Sequence, residues 1–199
     1  MRSSNRIEMT ASIKGSTILN TMSILRELMD QRRLNALIDS CPPDTQLLLR
    51  RTVMAVEWVP VDVWSPMLHA IFERVTSRDE SKFRRFIRAA CQRDFSGPYR
   101  VYVQNTTPAS VLVKAQGIWN SYFDSGTLTA GPVEPKDGGQ HCMIALRDLE
   151  SAAPIYVVVV QAILEQLLSM VDAKTVVIQR VRDTRRESYI ACDYRVTFR

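Results

Sequence analysis

Ile190, Cys192, Tyr194, Val196 and Phe198 alternate with Ala191, Asp193, Arg195 and Thr197 near the end of this 199-residue chain. A period of two places the first set on one face of a strand and the second on the other. A slip of one residue would turn Tyr194 and Phe198 into water, so this segment admits a single register. The rest of the chain must therefore supply a sheet to pair with it and a layer to cover its apolar face.

The preceding residues meet that demand. Residues 127–134 read as a strand, 135–139 as a turn, and 141–149 as a strand that pairs back as a hairpin. Ser151 and Pro154 open a long apolar helix to Val171, residues 174–183 read as a third strand, and 183–187 as a charged turn. Residues 126–199 thus form a β-β-α-β-β subdomain that encloses an apolar interior. Before Gly126 the period is helical. The fold class is α+β: a mobile leader over 1–15, a helical subdomain over 16–125, and the antiparallel-sheet subdomain, packed as one integrated domain.

Within the helical part, Ile18, Met22, Leu25, Leu28 and Met29 recur at spacings of three and four, followed by Leu34, Leu37 and Ile38. Pro42 and Pro43 end that stretch. Asp44 then caps a helix over 45–56 with Leu47, Leu48, Met54 and Val56 inward, and Asp62 caps the next. Residues 81–95 form a helix with Phe83, Phe86, Ile87 and Ala90 on one face. Residues 99–103 are either extended or the approach to the next helix. That helix, 108–123, has Thr107 as cap and Pro108 at its first position.

Composition excludes several functions. The apolar run 155–171 is interrupted by Gln161, Glu165 and Gln166 and is short for a bilayer, so no membrane insertion is expected. The polar first fifteen residues contain no signal peptide. Cys41, Cys91, Cys142 and Cys192 lie outside metal-ligand spacing and read as reduced thiols of a cytoplasmic protein. The net charge of +5 is spread along the chain and attracts anionic surfaces only weakly.

No catalytic constellation emerges. His69 and His141 are distant from each other, and a metal site needs three or four convergent ligands. Cys192 on an apolar strand face is an inert small hydrophobe, and neither a nucleophile elbow nor a phosphate-cradling loop occurs. The basic helix with Arg84, Arg85 and Arg88 offers an anion-binding surface. Its apolar spacing fits a core stripe, which argues against nucleic acid. Trp58 and Trp64, in a segment with Pro60 and Pro66, are candidates for an exposed interaction surface. Trp119, Tyr122, Phe123, Tyr156, Cys192 and Tyr194 are either the lining of a ligand pocket or simple core.

The stretch Tyr156, Leu164-Glu165, Leu168, Lys174-Thr175-Val176 and Cys192-Asp193-Tyr194-Arg195-Val196 resembles the carboxy-terminal part of the haem nitric-oxide/oxygen-binding (H-NOX) fold. It also resembles the related 4-vinyl reductase domain, a small-molecule-binding module. Trp58-Val59-Pro60, Thr106-Thr107-Pro108-Ala109 and Trp119 through Gly126 resemble a paralogous family of myxobacterial proteins that join a helical part to this ending. The resemblance implies a cavity bordered by the helix before the first sheet strand and by the sheet's inner face. Haem-binding members carry a histidine on that helix and a Tyr-x-Ser-x-Arg signature. Both are missing here, as are the clustered cysteines of the reductase domain, so no cofactor is expected and haem is argued against. The expected function is a non-enzymatic sensor or adaptor for a small apolar or aromatic ligand. The alternative is a protein-interaction or homodimerisation module with no ligand.

Overall fold

The computed structural model describes residues 11–97, 99–151, 153–186 and 189–199. The end of the expected leader is packed: Ala11 and Ile13 are buried, and β1 (Ser12–Lys14) leads directly into α1 (Gly15–Leu28). α1 is followed by α2 (Gln31–Asp39) and α3 (Pro43–Arg50). Asp30 caps α2 by accepting from the Arg33 amide at 2.8 Å. Asp44 is not a cap; Pro42 holds that position and Asp44 sits in the first turn of α3.

α3 stops at Arg50 instead of reaching 56, and of its expected inward residues only Leu48 is buried, while Leu47, Met54 and Val56 are exposed. Another demand claims the loop. The first amides of α1 need acceptors, and loop carbonyls supply them: Gly15 donates to Glu57 O at 2.9 Å and Ser16 to Ala55 O at 3.0 Å. The approach is so close that a Cβ on residue 15 would lie 2.1 Å from Met54 O. Glycine is required there.

β2 (Trp58–Pro60) pairs antiparallel with β1 and runs into α4 (Val61–Ala70), whose first turn holds Asp62 behind a Pro60 cap position. α4 widens into a π-turn at Ile71–Val75. α5 (Glu80–Ser96) is capped by Asp79, which accepts from the Lys82 amide at 3.0 Å. Arg100–Tyr102 form a 3-10 turn, the approach rather than a strand. The expected single helix over 108–123 is two: α6 (Pro108–Val113), capped by Thr107, and α7 (Ala115–Tyr122), separated at Lys114.

The sheet follows the expected plan with one division. β3 (Thr127–Ala130) and β4 (Glu134–Lys136) replace one strand and pair successively with β5 (Gly139–Glu150). Pro132, between them, has no amide to give a ladder. Asp137 and Gly138 both have positive φ, at 47° and 75°, the geometry of a tight two-residue hairpin turn. α8 (Tyr156–Ser169) crosses to β6 (Val177–Arg186) and β7 (Tyr189–Phe198), giving the antiparallel order β3-β5-β7-β6. The expected turn over 183–187 is strand up to Arg186, and Glu187 lies outside the described residues. Ile190, Cys192, Tyr194, Val196 and Phe198 are all buried, and α8 covers their face.

One cluster of buried side chains runs from Ala11, just before β1, to Phe198 in β7. β1 stitches the two parts together. Ser12 N donates to Asp124 Oδ1 at 2.6 Å, Ala11 N to Glu150 O at 3.2 Å, and Ile13 bridges to Phe123.

Candidate functional site

α7 ends at the first strand of the sheet, and its apolar residues point to α8. Trp119 and Phe123, four residues apart, fall on one helical face. Their rings stack with centroids 4.1 Å apart and planes at 14°, and Phe123 meets Tyr156 of α8 edge-on at 5.9 Å. Trp119 Nε1 donates to Ser125 O at 2.8 Å, which closes the turn after α7. Tyr122, on the adjacent face, packs at 4.8 Å against Tyr99 and at 5.8 Å against Phe95.

An apolar void lies beside this stack, between α6–α7, β3 and α8. Trp119, Tyr122 and Phe123 line it together with Val111, Ala115, Ile118, Leu128, Ile163 and Leu167. Its volume is about 10 Å³, room for about one water molecule. Of the six sequence-derived pocket residues, the structure therefore brings Trp119, Tyr122 and Phe123 to the void. Tyr156, Cys192 and Tyr194 are buried elsewhere in the core. The Tyr194 hydroxyl donates to Val157 O at 2.9 Å and the Tyr156 hydroxyl to Val61 O at 3.4 Å, so both rings anchor backbone. Val111 and Ala115 belong to the same apolar stripe as Trp119, whereas nothing in the run 155–171 singled out Ile163 and Leu167, because that helix is apolar nearly all round.

The thiols are chemically quiet. Burial pushes Cys192 and Cys41 upward and Cys142 up to about 11, so each stays protonated at neutral pH. α6 and α7 carry no histidine. His69 is exposed, and His141 of β5 lies 3.7 Å from Glu134 of β4. Among the described residues, no group of three or more His, Cys, Asp or Glu could hold a metal ion, and no helix is long and apolar enough to cross a membrane.

The interaction-surface candidates divide. Trp64 is 0% exposed, a correction to its assignment to an open surface: α4 turns it inward, because the helix begins at Val61 and places positions 61, 64, 65 and 68 on its core side. Trp58 is 42% exposed, with the Lys14 ammonium 3.6 Å above its ring. Arg84 reaches Glu80 at 2.8 Å and Glu165 at 3.4 Å, and Arg88 donates to Gln166 Oε1 at 3.3 Å. These two arginines clasp α5 to α8. Arg85 alone of the three is exposed.

No protein-family model matches the chain, and no curated protein matches it in sequence. Solved structures match it in shape over nearly its whole length. A Cs H-NOX mutant containing 4-cyano-L-phenylalanine aligns with a TM-score of 0.69 at 13% identity, covering 94% of this chain and 96% of that one. The chain has the H-NOX fold. A mutant of T. tengcongensis H-NOX gives 0.64 at 13% identity over 94% and 97% of the two chains. An oxygen-binding H-NOX domain related to soluble guanylate cyclases, in its oxygen complex, gives 0.63 at 13% over 94% and 95%. The H-NOX architecture of helices and antiparallel sheet is thus shared, while most side chains inside it differ.

Proposed function

We propose that this H-NOX-fold chain is a non-enzymatic sensory domain for a small uncharged apolar molecule, received in the void beside Trp119 and not on a haem. The observation that carries this reading is the small, almost wholly apolar void between α6–α7 and α8, next to the helix that precedes the sheet. Apolar voids of protein interiors take up apolar guests without help from polar groups. One structural neighbour is an oxygen-binding domain, which supports small-molecule sensing as the use of this architecture. Fold analogy by itself is a weak warrant for function, so the weight rests on the enclosure.

The residues present do not fit a haem. A site for a ligand of that size needs about 300 Å³ or more, whereas rings of Trp119, Phe123 and Tyr156 occupy the interior and leave about 10 Å³. The buried, protonated thiols likewise support a role without covalent catalysis, and four free cysteines agree with a reducing, cytoplasmic compartment.

Xenon under pressure titrated into methyl-labelled protein is the test, with benzene and indole, which a void of about 10 Å³ is too small to admit, as controls. Saturable shifts confined to the Ile163, Leu167 and Val111 methyls, with a change in Trp119 fluorescence, are expected. Absence of any shift, or a Soret band that persists after haemin is added and the free pigment removed, would sink the reading.

A second reading is a ligand-free adaptor. It is favoured by the exposure of Met54, Val56 and Trp58 close together in the chain, with Val56 at 74%. Light scattering across a concentration series checks the self-associating form of that adaptor: wild type assembles and a V56D/W58A variant stays monomeric. A monomer at every concentration removes that form.

A further inference from the structure

The sheet's outer face, opposite α8, is bent at one level on both sides of β7. β5 shifts register between Leu146 and Leu149, and β6 shifts between Arg180 and Arg182, so the two irregularities flank the segment around Cys192 and Asp193. A bulge bends its strand and increases the local twist. Two bulges beside one strand hollow the face between them into a depression of about 360 Å³. That volume lies within the range of small-molecule sites. Asp148, inside the first bulge, has φ of 52°, a left-handed conformation uncommon outside glycine.

The charges in this depression are arranged unevenly. Arg147 is fixed: its guanidinium pairs with Asp193 and donates to Leu146 O at 2.7 Å and to Cys192 O at 3.4 Å. Arg182 and Asp148 line the same depression. Among the described residues, neither has a hydrogen-bond or ion-pair partner, although they are unlike charges that would pair if they met. They stand on β6 and β5, separated by β7. At about 4.8 Å between neighbouring strands, their backbones are about 10 Å apart. Thr184, whose hydroxyl also has no partner among the described residues, stands two positions from Arg182 on the same strand.

We propose that this depression binds a small zwitterion of the α-amino-acid class, its carboxylate on Arg182 and Thr184 and its ammonium on Asp148. The guanidinium fork matches a planar carboxylate with two parallel donors. A carboxylate at the far wall accepts from an ammonium, and the fixed Arg147–Asp193 pair separates the two poles. A molecule with a single charge satisfies only one wall. The site is on the other side of the sheet from the apolar void, and its occupancy does not depend on what the void holds.

Nitrogen-15 NMR and calorimetry of the full chain with the twenty amino acids test this, with sodium acetate and ethylammonium chloride as single-charge controls. At least one amino acid is expected to bind saturably and to shift the Arg182 Nε–H and the Asp148 amide. Affinity should fall about tenfold or more, the loss of one charge-assisted contact, in both D148N and R182Q. Asparagine tolerates the left-handed backbone and Arg182 is exposed, so both variants keep the fold; unchanged spectra elsewhere verify this. Binding that survives D148N, equal shifts from acetate, or no shift from any amino acid in the millimolar range would each overturn the proposal.

Discussion

Asp94 closes the last turn of α5 with its side chain buried, 1% exposed, and burial pushes its pKa from 3.8 up to about 6. The Asn20 amide donates to one carboxyl oxygen at 2.8 Å. The Ser16 and Tyr122 hydroxyls face the carboxyl and hold the shift back, yet neither reaches hydrogen-bond geometry, and the second oxygen also lacks a partner. Tyr99 and Cys91 are also driven upward by burial, and among the described residues no cation offsets the Asp94 charge. Between pH 3.8 and about 6 the folded chain retains a proton that the unfolded chain has lost. The contribution of Asp94 is therefore fully present below 3.8 and is lost as pH rises through about 6. At about 1.4 kcal/mol per pKa unit the loss is about 3 kcal/mol. Urea unfolding near pH 4 and pH 7.5 checks it: D94N should gain about that much on wild type between the two. A parallel pair of stability curves would remove Asp94 from the account. Nothing in the sequence marked Asp94, because its burial comes from α1, α5 and α7 meeting.

At the scale of elements, Thr107 caps its helix as local chemistry dictates, whereas prolines hold the cap positions expected for Asp44 and Asp62. Thr107 accepts from the Ser110 amide at 3.2 Å at the start of α6, a helix of only six residues that packs over the void. Thr107→Ala should lower stability by about 1 kcal/mol in chemical denaturation, and Thr107→Asn should restore most of it. The element that resisted prediction is the pair α6–α7. A stripe from Val111 to Phe123 reads as one helix, since side-chain period is nearly continuous through Lys114. The split turns Ala115 toward the void beside Trp119. Because the space there is so small, Ala115→Leu should overpack it and cost about 1–3 kcal/mol by thermal or urea unfolding. A neutral or stabilising Leu would show a larger void. The strand over 127–134 failed as a single unit for a plainer reason, the missing amide of Pro132.

Across the whole molecule, β1 touches both the helical half and the sheet half, and we propose that it joins them into one folding unit. Ile13 is 2% exposed between β2 and Phe123, and its neighbours bond to both Asp124 and Glu150. Ile13→Ala should cost about 2–5 kcal/mol and shift the unfolding of both halves together, read as coincident transitions of tryptophan fluorescence and far-ultraviolet circular dichroism. Separate transitions would mean that the halves fold independently. The sequence by itself determined the last strand and its buried face, the order of the main sheet elements, the cap at Thr107, and the helix break at Pro42-Pro43. Each of these is written in a period or a turn chemistry that spans only a few residues. Tertiary structure decided the rest. It buried Trp64 where a tryptophan–proline segment looked open, packed residues 12–14 at the end of the supposed leader as β1, and drew Trp119 and Phe123 into a stack. It also left the depression beside Arg182 between two bulges. Those outcomes depend on contacts between residues far apart in the chain, and a local pattern of apolar and polar residues is the same whether such a partner comes or not.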